Sequence, residues 1–413
     1  MTIEALTDQA HPLTLEGGAA SAIASARRAA LSERYAAEAF AVEWRNFAAL
    51  GPVVNEWRAL AGCALAPNAF YEPAFALAAA PVFGRGAGAF LVWSGSAPRR
   101  LLGFFPARAQ TRRYGVKLSI LLGWTHAYAP LCVPLVEREA AEPVIAAWLT
   151  HIAAHAQLPG LLLLPFLPAA GPFAAALDAV LRRTQMPIAD FNRHRRALLA
   201  PGGSGRSHYV ERALGARRHK ELRRLGRRLA DVGAVMFTSA TEPASVASAI
   251  EDFFVIEASG WKGRAGTAAA GHDDLRRFIR AAATALAAEG KISVNRILLD
   301  GRAIAAAIIL RSGASAWFWK IAYDEAFARF SPGVMLTAAL TETLADDATI
   351  AQTDSCATAD HPMIDHLWRE RLALCDRLIA VRPQAPFAPA RALEALRGVA
   401  IAGAKNIRRR FRR

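Results

Sequence analysis

Three short stretches concentrate the residues whose types and spacing can do chemistry. In WKIAYDEAFARFSPGVML, residues 319–336, an apolar run meets Asp324 and Glu325, and then Ser331, Pro332 and Gly333 open an apolar helix. A helix N-terminus leaves backbone N–H groups unpaired and carries a partial positive charge, which together suit a phosphate. Pro332 has no N–H to lose in the first turn, Ser331 can cap it, and Gly333 lets a ligand approach the backbone closely. The stretch GWKGRAGT, residues 260–267, offers Trp261 for stacking on a planar group and Lys262 and Arg264 for an anion. Its glycine spacing is not that of a Walker loop, and a plain turn is the equal alternative. The stretch DSCATADH, residues 354–361, sets Asp354, Cys356 and His361 close in sequence. They would form a nucleophile, base and orienting acid only if the fold brought their side chains together; a buried thiol is the ordinary alternative for Cys356.

Other groupings carry less. His151 and His155 stand one helical turn apart without a third ligand, so a partly buried helix face is favoured over a metal site. GRGAG at 84–88 follows no strand and has no acidic residue placed for a ribose, so it reads as a turn. The cysteines, Cys63, Cys132, Cys356 and Cys375, are far apart, which argues against a disulfide framework or a cysteine zinc site. No metal is expected.

The chain has 413 residues, 54% of them hydrophobic, enough for two domains with full cores. Met1 to Arg28 lacks the basic and apolar regions of a signal peptide, so a cytoplasmic protein is expected. The charge-free run Pro143 to Leu177 is interrupted by prolines and glycines and divides into helix, strand and helix rather than one membrane span. The net charge of +15 is concentrated. Residues 206–228 carry nine Arg or Lys against two Glu, and residues 391–413 carry eight against one. The remainder is nearly neutral, which excludes a protein that coats nucleic acid over its whole surface, and no specific nucleic-acid partner is expected. The first segment is either a surface for a polyanionic donor or acceptor or a solvated face. The second has its charge behind a mildly apolar stretch, which suits peripheral contact with an anionic membrane, at the inner face, or a solubilising end.

The elements needed to position these residues follow from periodicity. Residues 1–36 form a poorly ordered leader, 37–200 a first domain, 201–385 a second, and 386–413 a basic tail. In the first domain strands are expected at Ala39–Trp44, Ala89–Trp93, Leu101–Ala107, Leu118–Gly123 and Gly160–Leu167, with helices between and after them. In the second, Ser207 caps a helix to Ala230 with Leu214, Leu222, Leu225 and Leu229 as its apolar stripe. A strand from Ala234 to Thr238 and two helices precede three strands, Ile292–Leu299, Ala303–Leu310 and Ser315–Tyr323, joined by Asp-Gly and Ser-Gly hairpin signals. A helix from Gly333, a strand Thr349–Asp354, a helix His361–Leu372 and a strand Asp376–Val381 complete the order.

That order is similar to the GNAT acyltransferase fold. IEASGWKGRAGTA, WKIAYDEAFARFSPGVML and DSCATADHPMIDHLW resemble the CelD-type acetyltransferase-like family, a GNAT branch associated with cellulose or exopolysaccharide production. The likeness is strongest over residues 207–381; the first half resembles the family more weakly, through LLGFFPAR and GWTHAYAPLCVPL. The resemblance implies an α/β (α+β) protein of tandem GNAT-like domains, each a mixed, mostly antiparallel sheet flanked by helices, as in Fem-type aminoacyltransferases. It implies acyl transfer from acyl-CoA, in particular acetyl-CoA, to an amine or hydroxyl of a small-molecule or glycan acceptor. It assigns the CoA pyrophosphate to the backbone of Ser331, Gly333, Val334 and Met335. It makes Asp354, Asp324 or Glu325 the base, Tyr323 or Ser355 the acid, and Trp261, Lys262 and Arg264 the acceptor side. The GNAT signature has a second glycine where this chain has only Gly333, so an acyl-carrier protein or an aminoacyl-tRNA stays open as donor. A silent scaffold for a membrane-associated polysaccharide machine is the alternative from another class. The first domain has no counterpart of the Ser-Pro-Gly turn and is expected to be inactive.

Overall fold

The computed structural model describes residues 40–202 and 208–410, with side chains as far as residue 401. The leader at 1–36 and Ser207, read above as a cap, lie outside the described residues. The first half runs β1 (Ala41–Asn46), α1 (Val54–Cys63), α2 (Pro73–Phe83), β2 (Ala87–Trp93), β3 (Leu101–Arg113), β4 (Val116–Gly123), β5 (Leu135–Val136), α3 (Ala141–Ala154), β6 (Leu161–Pro168), α4 (Pro172–Thr184) and β7 (Ile188–Leu199). The second runs α5 (Tyr209–Ala230), β8 (Val235–Ala240), α6 (Pro243–Ser259), α7 (Trp261–Arg264), α8 (Asp273–Ala288), β9 (Ile292–Leu299), β10 (Arg302–Ser312) and β11 (Ser315–Tyr323). It closes with α9 (Pro332–Asp346), β12 (Gln352–Asp354), α10 (Ile364–Leu367), β13 (Glu370–Ala380) and α11 (Phe387–Arg410).

All strands belong to one mixed, mostly antiparallel sheet, in the order β1-β2-β3-β4-β6-β13-β7-β12-β11-β10-β9-β8, with β5 on β3. The two halves repeat one plan: an antiparallel meander, a parallel step across a helical crossover, and one more antiparallel strand. In each half that last strand comes from the other: β13 pairs with β6, and β7 pairs with β12. β7 and β13 also pair with each other, from Glu370↔Leu198 to Ile379↔Ile188. Arg377 of β13 fixes this junction, donating to Asp190 of β7 through Nε at 2.8 Å and bonding Asp178 of α4.

Local chemistry explains the elements. Asp300 and Gly301 join β9 to β10 with φ of 49° and 80°, the left-handed pair that a tight hairpin needs. Pro243 and Pro332 each stand in the first turn of a helix. Inside α5, Gly215 has φ 74° and ψ 158° and kinks the basic helix, whose Leu229 is buried while Leu214 and Leu222 pack against the second core. The run Pro143–Leu177 is helix, strand and helix, and among the described residues no helix is long and apolar enough to cross a membrane.

Three expectations need correction. The helix expected at His361–Leu372 is a single turn, Ile364–Leu367, because β13 begins at Glu370, where pairing with β7 wins over helical periodicity. β7 itself was not anticipated, since DFNRHRR breaks any apolar alternation. The chain from Phe387 is a helix to Arg410, although the side chains of its basic end lie outside the described residues.

Candidate active site

β11 and β12 run parallel through three register pairs, Ser315↔Gln352, Ala316↔Thr353 and Trp317↔Asp354. β12 stops there, whereas β11 continues to Tyr323. The edge of β11 beyond Trp317 therefore faces a wedge rather than a strand, and its main-chain groups on that side are available to a ligand. The wedge is a cleft of about 570 Å³ whose wall includes Tyr323, Ser331, Gly333, Val334, Trp261 and Lys262.

The Ser-Pro-Gly turn forms the outer end of the cleft. Ser331 adopts the left-handed conformation, φ 54° and ψ 49°, and its hydroxyl makes no capping hydrogen bond, contrary to the expected cap. Its carbonyl accepts the Met335 N–H at 3.0 Å, so Met335, buried in the second core, has no amide to offer an anion and leaves the candidate set. The N–H groups of Gly333 and Val334 have no partner among the described residues. Gly333 also has a packing role: a Cβ there would lie 3.0 Å from Tyr323 Cδ1, so the glycine seats the Tyr323 ring over the helix start.

The carboxylates are committed elsewhere. Asp324 is 6% exposed, accepts the Ala326 N–H at 3.0 Å and pairs with Arg302 at 2.5 Å, so it caps the turn after β11. Glu325 lines the cleft, but its two oxygens accept the Trp261 N–H at 2.7 Å and Arg264 at 2.6 Å. The Arg264 bond, with the Trp261 amide, holds its carboxyl below the ordinary range. Glu325 thus ties the 260–267 loop to the turn, and Arg264 serves that tie. Asp354 is bonded to the buried Arg196 of β7 and accepts the Cys356 N–H at 3.0 Å; it lines a second cavity of about 210 Å³ instead of the cleft. Arg196 also donates to the Pro130 carbonyl at 2.9 Å, so this pair pins three segments.

Asp354, Cys356 and His361 do not assemble as a triad. Burial, then the Asp354 charge, push the Cys356 thiol well above its ordinary value, and the imidazole of His361 accepts the Met363 N–H at 3.4 Å. Both Cys356 and His361 nevertheless line the cleft, and burial lowers the His361 pKa. The rings of His151 and His155 lie 3.9 Å apart, tilted by 32°, with His155 Nδ1 2.7 Å from the His151 carbonyl at the helix end.

Two cleft residues escaped the sequence reading. Glu257 of α6 is 5% exposed and holds Lys262 at 2.8 Å and the Ala269 N–H at 2.9 Å. Lys320 of β11 lines the cleft beside it. Each is a lone charge inside an apolar run, FFVIEAS and SAWFWKIAY, and that was the available signal.

At the first half's own splay the cavity is smaller, about 270 Å³, and is lined by Leu122, Gly123, Trp124 and His126 at the end of β4. β4 and β6 pair at Leu121↔Leu162 and Leu122↔Leu163, and a Cβ on Gly123 would lie 2.4 Å from Cys132 Sγ. Cys132 and Tyr71, whose hydroxyl donates to the Trp124 carbonyl at 2.7 Å, are buried beside it and narrow the gap.

Residues 216–361 match the family model described as an acetyltransferase (GNAT) domain. The chain is similar in fold to FemX, with TM-score 0.52 and 9% identity over 82% of this chain and 98% of that one. It is similar in the same way to the C-terminal DUF2156 domain of a protein assigned as a lysylphosphatidylglycerol synthetase from Agrobacterium fabrum, with TM-score 0.52 and 11% identity over 85% of this chain and 96% of that one. No curated protein matches. The matched GNAT domain model thus falls on the second half of a fold whose two halves repeat one plan.

Proposed function

We propose that this GNAT domain moves an acyl group from acyl-CoA, held in the β11–β12 wedge, to an amine or hydroxyl acceptor. The observation that carries the reading is the free Gly333 and Val334 N–H pair at the mouth of a cleft whose other wall is an unpaired strand edge. The pyrophosphate would lie on those amides at the start of α9. The pantetheine amides would pair with the free edge of β11, and its N–H groups would face the oxyanion of the tetrahedral intermediate. The acceptor would enter past the exposed Trp261, on the α6–α7 side, and His361 would take its proton as a neutral imidazole. The Asp354–Arg196 pair keeps the splay rigid in this scheme and does not touch the reactants.

A second donor is favoured by one observation. α5 carries exposed Arg217, Arg218, Lys220, Arg223 and Arg227, and its Gly226 lies against Met335 in the first turns of α9. A basic rail beside the phosphate turn suits a larger polyanion, such as an aminoacyl-tRNA delivered to a FemX-like fold. A glycan acceptor, and with it an exopolysaccharide role, rests on the CelD resemblance and on Trp261 as a stacking platform.

The test is release of free thiol from acetyl-CoA in the presence of amines, amino sugars and sugar hydroxyls. Release above the hydrolytic background with one acceptor class is expected. Tight acetyl-CoA binding without release from any acceptor would favour the silent scaffold.

A further inference from the structure

Lys320 is the single charged residue of β11. The β10–β11 register shifts between Ile308, opposite Lys320, and Ile309, opposite Phe318, so Trp319 is bulged out of the ladder. Trp319 and Lys320 both meet the first half at Tyr128: Trp319 Nε1 donates to its carbonyl at 2.9 Å, and Lys320 Nζ stands 3.8 Å from its ring centroid. The ammonium is deep in the cleft, three positions past Trp317, where the wedge closes, and away from the Ser331–Val334 end.

Lys320 is half-buried, and an ammonium drawn this far from water usually has a carboxylate partner. Lys320 has no ion pair among the described residues. Glu257, whose charge reaches it, is already bound to Lys262 and the Ala269 amide. The other groups around it offer no negative charge. The Cys356 thiol is held protonated by burial, and His126 is held neutral by burial and by Lys320 itself. Burial, then the Lys262 charge, bring the Lys320 pKa down to about 8, so at neutral pH it keeps its proton over the Tyr128 ring and faces an open cavity.

We propose that Lys320 is the binding site for a carboxylate at the closed end of the cleft, so that one of the two reactants carries a free carboxyl group near its reacting atom. The proposal rests on the acyl-CoA reading above. The pyrophosphate has its place at the Ser331–Val334 end, so the anion that reaches Lys320 belongs to a reacting group, where a carboxylate is the single charge one ammonium matches. The carboxylate has two sources, the far end of a dicarboxylic acyl group on the donor or the carboxyl of an amino-acid acceptor.

Calorimetry separates them. Succinyl-CoA and butyryl-CoA share acyl length and differ in the carboxylate. With the donor as source, succinyl-CoA binds at least about tenfold tighter. At a pH above 8 its binding takes up protons, because the ion pair raises the Lys320 pKa; the uptake is read from two buffers of different ionisation enthalpy. Both effects vanish in Lys320→Met, a near-isosteric change that removes a half-buried, unpaired charge and keeps the fold. If the two thioesters bind alike, L-glutamate is added to the CoA-saturated protein, and protection of Lys320 from reductive methylation assigns the carboxylate to the acceptor. Equal thioester affinity together with no protection overturns the proposal. Failure of every thioester to bind condemns the acyl-CoA reading instead, and the glutamate protection measured without CoA still decides for or against Lys320.

Discussion

Arg196 and Asp354 illustrate how one residue pair takes a carboxylate away from chemistry. Arg196 is 2% exposed and reaches across from β7, so the acid at the end of β12 holds a charge that would otherwise be stranded. Asp354→Asn leaves a buried guanidinium without its partner and should cost about 3–5 kcal/mol in chemical denaturation. Adding Arg196→Met should recover most of it. A single variant of undiminished stability that loses thiol release would instead return Asp354 to the role of base. His361 makes a second prediction at this scale. Burial lowers its pKa below the ordinary 6.5, and a base works only when unprotonated, so activity should rise with pH and reach half its plateau below 6.5. His361→Gln should remove that limb and lower thiol release by about 10²–10⁴; an unchanged profile sets His361 aside.

The loop between α6 and α8 is built with little slack. A Cβ on Gly263 would lie 1.8 Å from the Ala258 carbonyl oxygen, so Gly263→Ala must displace the segment that carries Trp261 and Lys262. Acceptor-dependent turnover should be lost while acetyl-CoA affinity falls less, because only the Glu325 tie passes the displacement on to the phosphate turn. Equal loss of both would mean that the loop also holds the donor. Elements of this kind were readable where periodicity and turn chemistry agreed. The meander β9–β11 was marked by Asp-Gly and Ser-Gly, the start of α9 by Pro332, and the phosphate turn by its position between them. The roles of Asp324, Glu325 and Asp354 were not readable, because Arg302, Arg264 and Arg196 reach them from distant positions in sequence. Met335 was hidden for a simpler reason: a Ser331 carbonyl accepts its amide proton. β7 eluded the pattern because pairing with β13 lets a strand carry DFNRHRR, with Asp190 met by Arg377, Asn192 by Asp376 and Arg196 by Asp354 while Arg193 and Arg195 stay exposed.

Across the whole molecule, the exchange of β7 and β13 makes the two halves depend on each other. Contacts beyond the sheet add to this, since α2 packs on α8, Lys291 bonds Glu72 at 2.8 Å and Ser312 bonds it at 2.5 Å. Thermal unfolding should therefore give one calorimetric transition, and residues 208–413 expressed alone should not fold; two resolved transitions would contradict the interlock. Acid should act on the same junction. At Asp190 burial raises the pKa and the Arg377 bonds outweigh it, leaving the folded carboxyl below its ordinary 3.8. The pair's contribution is thus complete above pH 3.8 and is lost as pH falls through the lower folded value, so Asp190→Asn should remove that part of the acid sensitivity. This rigid frame is what holds the β11–β12 wedge open with the Ser331–Val334 turn at its mouth. The most direct test is calorimetric titration of acetyl-CoA into the wild-type protein and into Gly333→Trp, whose indole would displace Tyr323 and cover the free amides. Saturable binding by the wild type with a loss of at least about tenfold in the variant is predicted; no binding by the wild type, or equal binding by both, would contradict the phosphate turn.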